Sequence, residues 1–191
     1  MISSIFPTPI FHYKVSIPED LIERIHKLME FDPKGRTYTN VGGWQSKDIE
    51  HDPNFQDVIK VICECAKDAY PKFTPSNNRK VEVLSTWINV NKGEDFNTPH
   101  IHPFTHLAGC LYVKKNENSG SIVFENPLRE IMYHYDMQIT PENETETMKM
   151  FQAYNPSVGE LILFPAWMFH HVEKSTDMEE RITIAFNTVM R

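Results

Sequence analysis

From residue 81 onward the chain consists almost entirely of short strand-forming runs, and this limits its fold more than any other feature. VEVLSTWINV, LAGCLYVKK, GSIVFEN, IMYHYDMQI, MFQAYN, GELILFP and RITIAFNTV follow one another. Each is rich in β-branched or aromatic residues and is bounded by Gly, Pro, Asn or Ser, which end strands and form turns. Many short strands at such spacing imply a sandwich or jelly roll. Before residue 81 the period changes to that of helices. Leu21, Ile22, Ile25, Leu28 and Met29 form one apolar stripe, with Pro18, Glu19 and Asp20 suited to the first turn. Phe55, Val58, Ile59, Ile62, Ala66 and Ala69 form a second stripe, with Asp52 as N-cap and Pro53 at the first helical position. The expectation is a mainly β fold with flanking helices in a single domain, 1–191. Residues 1–80 form a helix-and-strand buttress, and 81–191 form the jelly-roll core.

Charge and cysteine usage narrow the class. The formal net charge of −7 disfavours a nucleic-acid partner, which selects a basic face. Cys63, Cys65 and Cys110 are an odd number without a disulfide spacing, which points to reduced thiols and a cytoplasmic location. The opening MISSIFPTPIFHYKV has neither a basic segment nor a long apolar one, and no run reaches about 18 apolar residues, so neither a signal peptide nor a membrane span is expected. The acidic TPENETET, 140–147, reads as a solvated loop. Sandwiches with a free edge strand often pair, which leaves a homodimer open.

The chemistry concentrates in PHIHPFTH, 99–106. Residues i and i+2 of a strand share a face, so His100 and His102 project together if the segment is extended. Pro99 and Pro103 favour that geometry at the residues before them. Two imidazoles at that spacing can share a metal. His106 keeps the same face only if the strand continues past Pro103. A third ligand is sought in GELILFPAWMFHHVEKS, where one of His170 and His171 faces inward. Neutral imidazoles suit iron, zinc, copper or nickel.

With these residues placed, the chain resembles the small bacterial and phage 2-oxoglutarate–Fe(II) oxygenases of the double-stranded β-helix superfamily. The resemblance rests on IFPTPIF, NVGGWQS (40–46), TWINVNKGEDFNTPHIHP (86–103), HLAGCLYV (106–113), the Gly120–Pro127 strand and turn, GELILFPAWMFHHV (159–172) and RITIAFN (181–187). FP-x-W-x-x-H-x-V followed by R-I-x-I-x-F-N is its most specific part. It implies a cupin-like double-stranded β-helix core, with Fe(II) and 2-oxoglutarate as cofactors. The implied reaction is hydroxylation of an unknown substrate with release of succinate and CO2. His100 matches the first metal ligand and His170 the distal one. Arg181 matches the residue that grips the far carboxylate of 2-oxoglutarate, a task suited to a guanidinium fork. Thr183 takes the place of an assisting hydroxyl. Asn89 and Tyr112 are candidates for further contact with the oxo acid, whereas Trp87 and Trp167 are read as core.

The chain departs from the superfamily at its second ligand. The usual pattern has a carboxylate two residues after the first histidine, and this chain has His102. Either His102 completes a three-histidine site, which is the reading adopted, or a carboxylate such as Asp95 or Glu125 arrives from elsewhere. Two other classes stay open: a cupin-like or three-histidine zinc or iron enzyme that uses no oxo acid, and a non-catalytic jelly-roll binding module. Gly42 and Gly43 serve either a moving cover over the pocket or a simple turn.

Overall fold

A computed structural model describes residues 7–75, 79–130 and 149–191. The strand expected at 131–139 and the loop at 140–147 lie outside the described residues. Two antiparallel sheets face each other. The larger holds β1 (Phe11–Lys14), β9 (Glu160–Pro165), β6 (Leu107–Lys114), β11 (Arg181–Met190), β4 (Val81–Asn91) and β3 (Trp44–Gln45), in that order. The smaller runs β2 (Asn40–Val41), β5 (Phe96–His100), β10 (His170–Val172), β7 (Ile122–Glu125) and β8 (Phe151–Tyr154). From β4 to β11 the chain repeatedly crosses between the sheets, which is the winding of a double-stranded β-helix and matches the expected core.

The period-2 pattern of the central strands sorts side chains between two environments. On β11, Ile182, Ile184 and Phe186 point away from the smaller sheet and pack with Ile88, Val90, Leu107 and Leu111 against the helices. Burying each of these side chains stabilises the fold by about 1.5–3 kcal/mol. The alternate residues Arg181, Thr183, Ala185 and Asn187 point between the sheets. Gly109 is required on the helix side, since a Cβ there would lie 2.3 Å from the Phe186 ring.

The helices are α1 (Leu21–Phe31) and α2 (Gln56–Phe73), and α2 packs on β4 and β9. One detail differs from expectation. Helix α1 starts at Leu21, so Pro18, Glu19 and Asp20 form the turn before it, closed by Leu21 N–H donating to the Pro18 carbonyl. Asp52 does cap, but it caps a 3₁₀ turn (Pro53–Phe55) that leads into α2, with its Oδ1 accepting from the Asn54 N–H at 2.9 Å. Gly42 and Gly43, with φ of +68° and +63°, make the turn that carries the chain from β2 in one sheet to β3 in the other. Trp44 is buried just beyond it, with its Nε1–H donating to the Asp32 carbonyl at 2.8 Å. These glycines therefore make a turn that Trp44 pins on its far side.

Candidate metal centre and oxo-acid cavity

The space between the sheets has a floor and a roof. The floor comes from three neighbouring strands of the larger sheet. In register, Thr183 lies opposite Asn89 on one side and Tyr112 on the other, Ala185 opposite Trp87 and Cys110, and Asn187 opposite Ser85 and Ala108. The roof comes from the smaller sheet, where His170 of β10 lies directly opposite His100 of β5. His102 lies two residues past the end of β5, because Pro103 ends the strand. Its backbone N–H donates to the Ala166 carbonyl at 2.9 Å, and this holds the His102 loop beside the Pro165 turn.

One nitrogen from each of His100, His102 and His170 falls within 4.8 Å of the others. His100 Nδ1–H donates to the Thr98 carbonyl at 2.7 Å, and His170 Nδ1–H donates to the Met168 carbonyl at 2.9 Å. Each bond fixes the tautomer that leaves Nε2 bare toward the centre. The Nε2 atoms of His102 and His170 are 3.3 Å apart. Two nitrogens about 2.1 Å from one ion at a right angle are about 3 Å apart, so the pair is already spaced for a shared metal. Phe164 and Phe124 wall His170, and Trp87 stacks on His102 with centroids 5.9 Å apart. Burial lowers the pKa of all three imidazoles, that of His102 to about 3. The trio is therefore neutral at pH 7, as metal ligands must be.

Those depressed values carry a stability consequence. A native state that refuses protons the unfolded chain accepts loses stability as pH falls below the unfolded value of about 6.5. Metal-free protein is expected to melt at progressively lower temperature from pH 7 to pH 5, and His102→Asn should flatten the slope. Asp57 and Asp32, held low by Arg24 and Lys47, titrate below this window. A melting temperature that is constant over the window would contradict the buried neutral trio.

Beyond the histidines the cavity ends at Arg181. This guanidinium is 4% exposed, and its Nη1 donates to the Gly120 carbonyl at 2.9 Å. Glu179 and Glu180, its sequence neighbours, turn away: Glu179 accepts from Asn116, and Glu180 pairs with Lys114 and His26. Among the described residues no carboxylate pairs with Arg181, and its Nε has no hydrogen-bond partner. On the neighbouring β4, Asn89 Oδ1 is buried and also lacks a hydrogen-bond partner. Tyr112, Thr183, Cys110 and Asn97 complete the lining. Burial raises the Tyr112 phenol pKa far above the ordinary range, so it stays protonated and can donate a hydrogen bond. A buried cation without a counter-ion is costly, and here it faces a polar cavity that ends at three imidazoles. The donor set fits a divalent metal at one end and a carboxylate of a small anion at the other.

All seven sequence candidates, His100, His102, His170, Arg181, Thr183, Asn89 and Tyr112, line this one cavity. Other candidates lie elsewhere. His106 does not join the three-histidine group: it packs edge-on to Tyr70, and its Nδ1 accepts from the Met190 N–H. Glu125 pairs with Arg129, and Asp95 accepts from the Lys92 N–H, so neither joins the histidines. Trp87 belongs to the site and not to the core. Trp167 is half exposed. Thr39, Asn97 and Cys110 were not anticipated. Cys110 and Trp87 share strand parity with the candidates Tyr112 and Asn89, a signal present in the sequence.

The family model described as "Putative 2OG-Fe(II) oxygenase" matches residues 85–187, more than half of the chain. A comparison with curated protein sequences finds no match. Solved structures share the fold at low identity. A prolyl-4-hydroxylase from Pseudomonas putida superposes with a TM-score of 0.59 at 11% identity, over 94% of this chain and 92% of that one. HygX from Streptomyces hygroscopicus, solved with nickel and 2-oxoglutarate bound, gives 0.58 at 10% identity, over 95% and 83%. AviO1 from Streptomyces viridochromogenes gives 0.64 at 9% identity, over 95% and 90%. The chain belongs to the 2OG-Fe(II) oxygenase family and is an oxidoreductase that works with iron and 2-oxoglutarate.

Proposed function

We propose that His100, His102 and His170 hold Fe(II) through their Nε2 atoms and that Arg181 anchors the far carboxylate of 2-oxoglutarate, assisted by Asn89, Tyr112 and Thr183. The observation that carries this reading is the buried, uncompensated Arg181 at the opposite end of one cavity from the three imidazoles. The bound pair supplies the oxidising chemistry, coupling decarboxylation of 2-oxoglutarate to succinate and CO2 with dioxygen-dependent oxidation of a C–H bond. The chain's own residues position and exclude. Arg181 and Tyr112 fix one end of the oxo acid, Phe124 and Phe164 keep water from the roof, and the Thr98 and Met168 carbonyls hold two imidazoles in the ligating tautomer.

A second space adjoins the first. A groove of about 390 Å³, within the size range of small-molecule sites, is lined by Arg36, Tyr38, Gln45, Ile101 and Pro103. It shares Thr39, Trp87, His100 and His102 with the inner cavity. The substrate reaches the metal from this groove. Arg36 and Asp48 pair across it at 3.1 Å, so its walls carry no net charge.

The whole chain, 1–191, acts as a single domain in this reading, because β1, β2 and β3 from the first 80 residues extend both sheets. Among the described residues no helix is long and apolar enough to cross a membrane. The three unpaired cysteines accord with a reducing, cytoplasmic setting. Anaerobic addition of Fe(II) and then 2-oxoglutarate tests the assignment. A visible charge-transfer band that needs both additions is expected, and a metal-loaded protein that gives none, with zinc retained in its place, would favour the three-histidine hydrolytic reading.

A further inference from the structure

The third imidazole lacks the support the other two have. His100 and His170 donate Nδ1–H to backbone carbonyls, whereas among the described residues the His102 ring makes no bond to a carbonyl. Its Nε2 is 3.3 Å from His170 Nε2, which is bare. Two tautomers of His102 therefore compete. With the proton on Nε2, His102 donates to His170, and the two nitrogens that should meet a metal are spent on each other. With the proton on Nδ1, both face the centre with free lone pairs. The choice depends on what accepts from Nδ1.

Asn187 is the side chain placed to decide. It lies on the inward face of β11, directly opposite Ser85 of β4, and its Nδ2 donates to Ser85 Oγ at 3.0 Å. That bond turns the amide so that Oδ1 is the atom left over. Oδ1 is buried and accepts no hydrogen bond from any of the described residues. Asn187 and His102 line the same groove, and Trp87, two residues from Ser85 on β4, stacks on the His102 ring. With Nε2 turned toward His170, Nδ1 is the ring nitrogen left to meet Asn187.

We infer that Asn187 is a positioning residue: its Oδ1 accepts the Nδ1 proton of His102, holding that imidazole in the tautomer and orientation that let it ligate metal. This rests on the three-histidine reading and extends it. Where the superfamily's carboxylate needs no tautomer set, a histidine in its place does, and the Ser85–Asn187 pair sets it.

Ni(II) titration of the metal-free protein by calorimetry, with the oxo acid omitted, separates the possibilities. Asn187→Leu keeps the volume and removes the acceptor, and it should weaken Ni(II) binding about 10- to 100-fold, the usual effect of losing a ligand's outer hydrogen bond. Asn187→Asp restores an acceptor and should bind within a few-fold of the wild type. Melting temperatures of the metal-free variants should differ little from each other. His102→Ala is the control for the underlying reading: if it binds Ni(II) as the wild type does, His102 is no ligand and the three-histidine site fails. If His102→Ala loses affinity while Asn187→Leu does not, or if Asn187→Asp fails to rescue, the positioning role is overturned. Should Asn187→Leu not fold, nitrogen-15 NMR of the metal-free wild type still decides: the Nδ1–H tautomer of His102 is expected, and the Nε2–H tautomer refutes the proposal.

Discussion

Arg181→Met is expected to remove 2-oxoglutarate binding while leaving the metal-free protein as stable as before, or more so. The two effects have opposite signs because they arise from one arrangement. In the free protein Arg181 is buried, spends one donor on the Gly120 carbonyl and leaves Nε without a partner. Holding an uncompensated ion there costs several kcal/mol of desolvation, and burial accordingly lowers its pKa. Methionine fills similar volume without that cost. It forfeits only the bond to Gly120, worth about 1–3 kcal/mol once the carbonyl is left unsatisfied. With the oxo acid present the balance reverses, because the guanidinium gains the counter-ion it lacked. Truncating one member of a buried charge pair typically costs about 2–5 kcal/mol, or between about 30-fold and 4,000-fold in affinity. The measurement is the melting temperature with and without 2-oxoglutarate under anaerobic Mn(II). Wild type should rise on adding the oxo acid and Arg181→Met should not, while its baseline is unchanged or higher. A variant that loses baseline stability and still responds to 2-oxoglutarate would show Arg181 to be a structural residue.

What the sequence revealed of this site, and what it hid, follows from how each residue is placed. Arg181, Thr183 and Asn89 could be read because they sit within long strands where parity holds without interruption, and the register of β11 against β4 preserves it across the whole floor. His170 could be chosen over His171 only by family position, since β10 is three residues long and either residue could have faced inward. Trp87 reads as core from sequence because large aromatics usually bury against the hydrophobic side. Yet it shares its parity with Ser85 and Asn89, and its indole stacks on His102 instead. The short strands β2 and β3 were invisible for a different reason. Two-residue strands carry no period, and their existence depends on partners brought in from β4 and β5. Asn187 closed the quoted RITIAFN motif, but its task depends on Ser85, 102 residues away in sequence, and on a histidine in the opposite wall.

His170→Ala should cost the protein its metal. Of the three proposed ligands His170 is the most deeply enclosed, 3% exposed, with Phe124 and Phe164 against its ring and the Met168 carbonyl fixing Nδ1. No other histidine or carboxylate among the described residues joins the group, so nothing adjacent can substitute. Losing a ligand outright should exceed the loss of an outer hydrogen bond, so a decrease in affinity of at least about 100-fold is expected. Thermal stability should register it. At a metal concentration about 100 times the wild-type Kd, binding contributes about 2.7 kcal/mol, and a 100-fold weaker site contributes only about 0.4 kcal/mol. In a chain of this length that corresponds to a rise of roughly 5–10 °C on adding Mn(II) to the wild type and roughly 1 °C for the variant. The metal-free variant should also melt lower than the metal-free wild type, because the ring leaves a void among the two phenylalanines. That baseline loss is separable from the lost response to metal. If the response survives while the baseline falls, His170 only packs the core, and the centre must be sought at His100 and His102 with a ligand from another part of the chain.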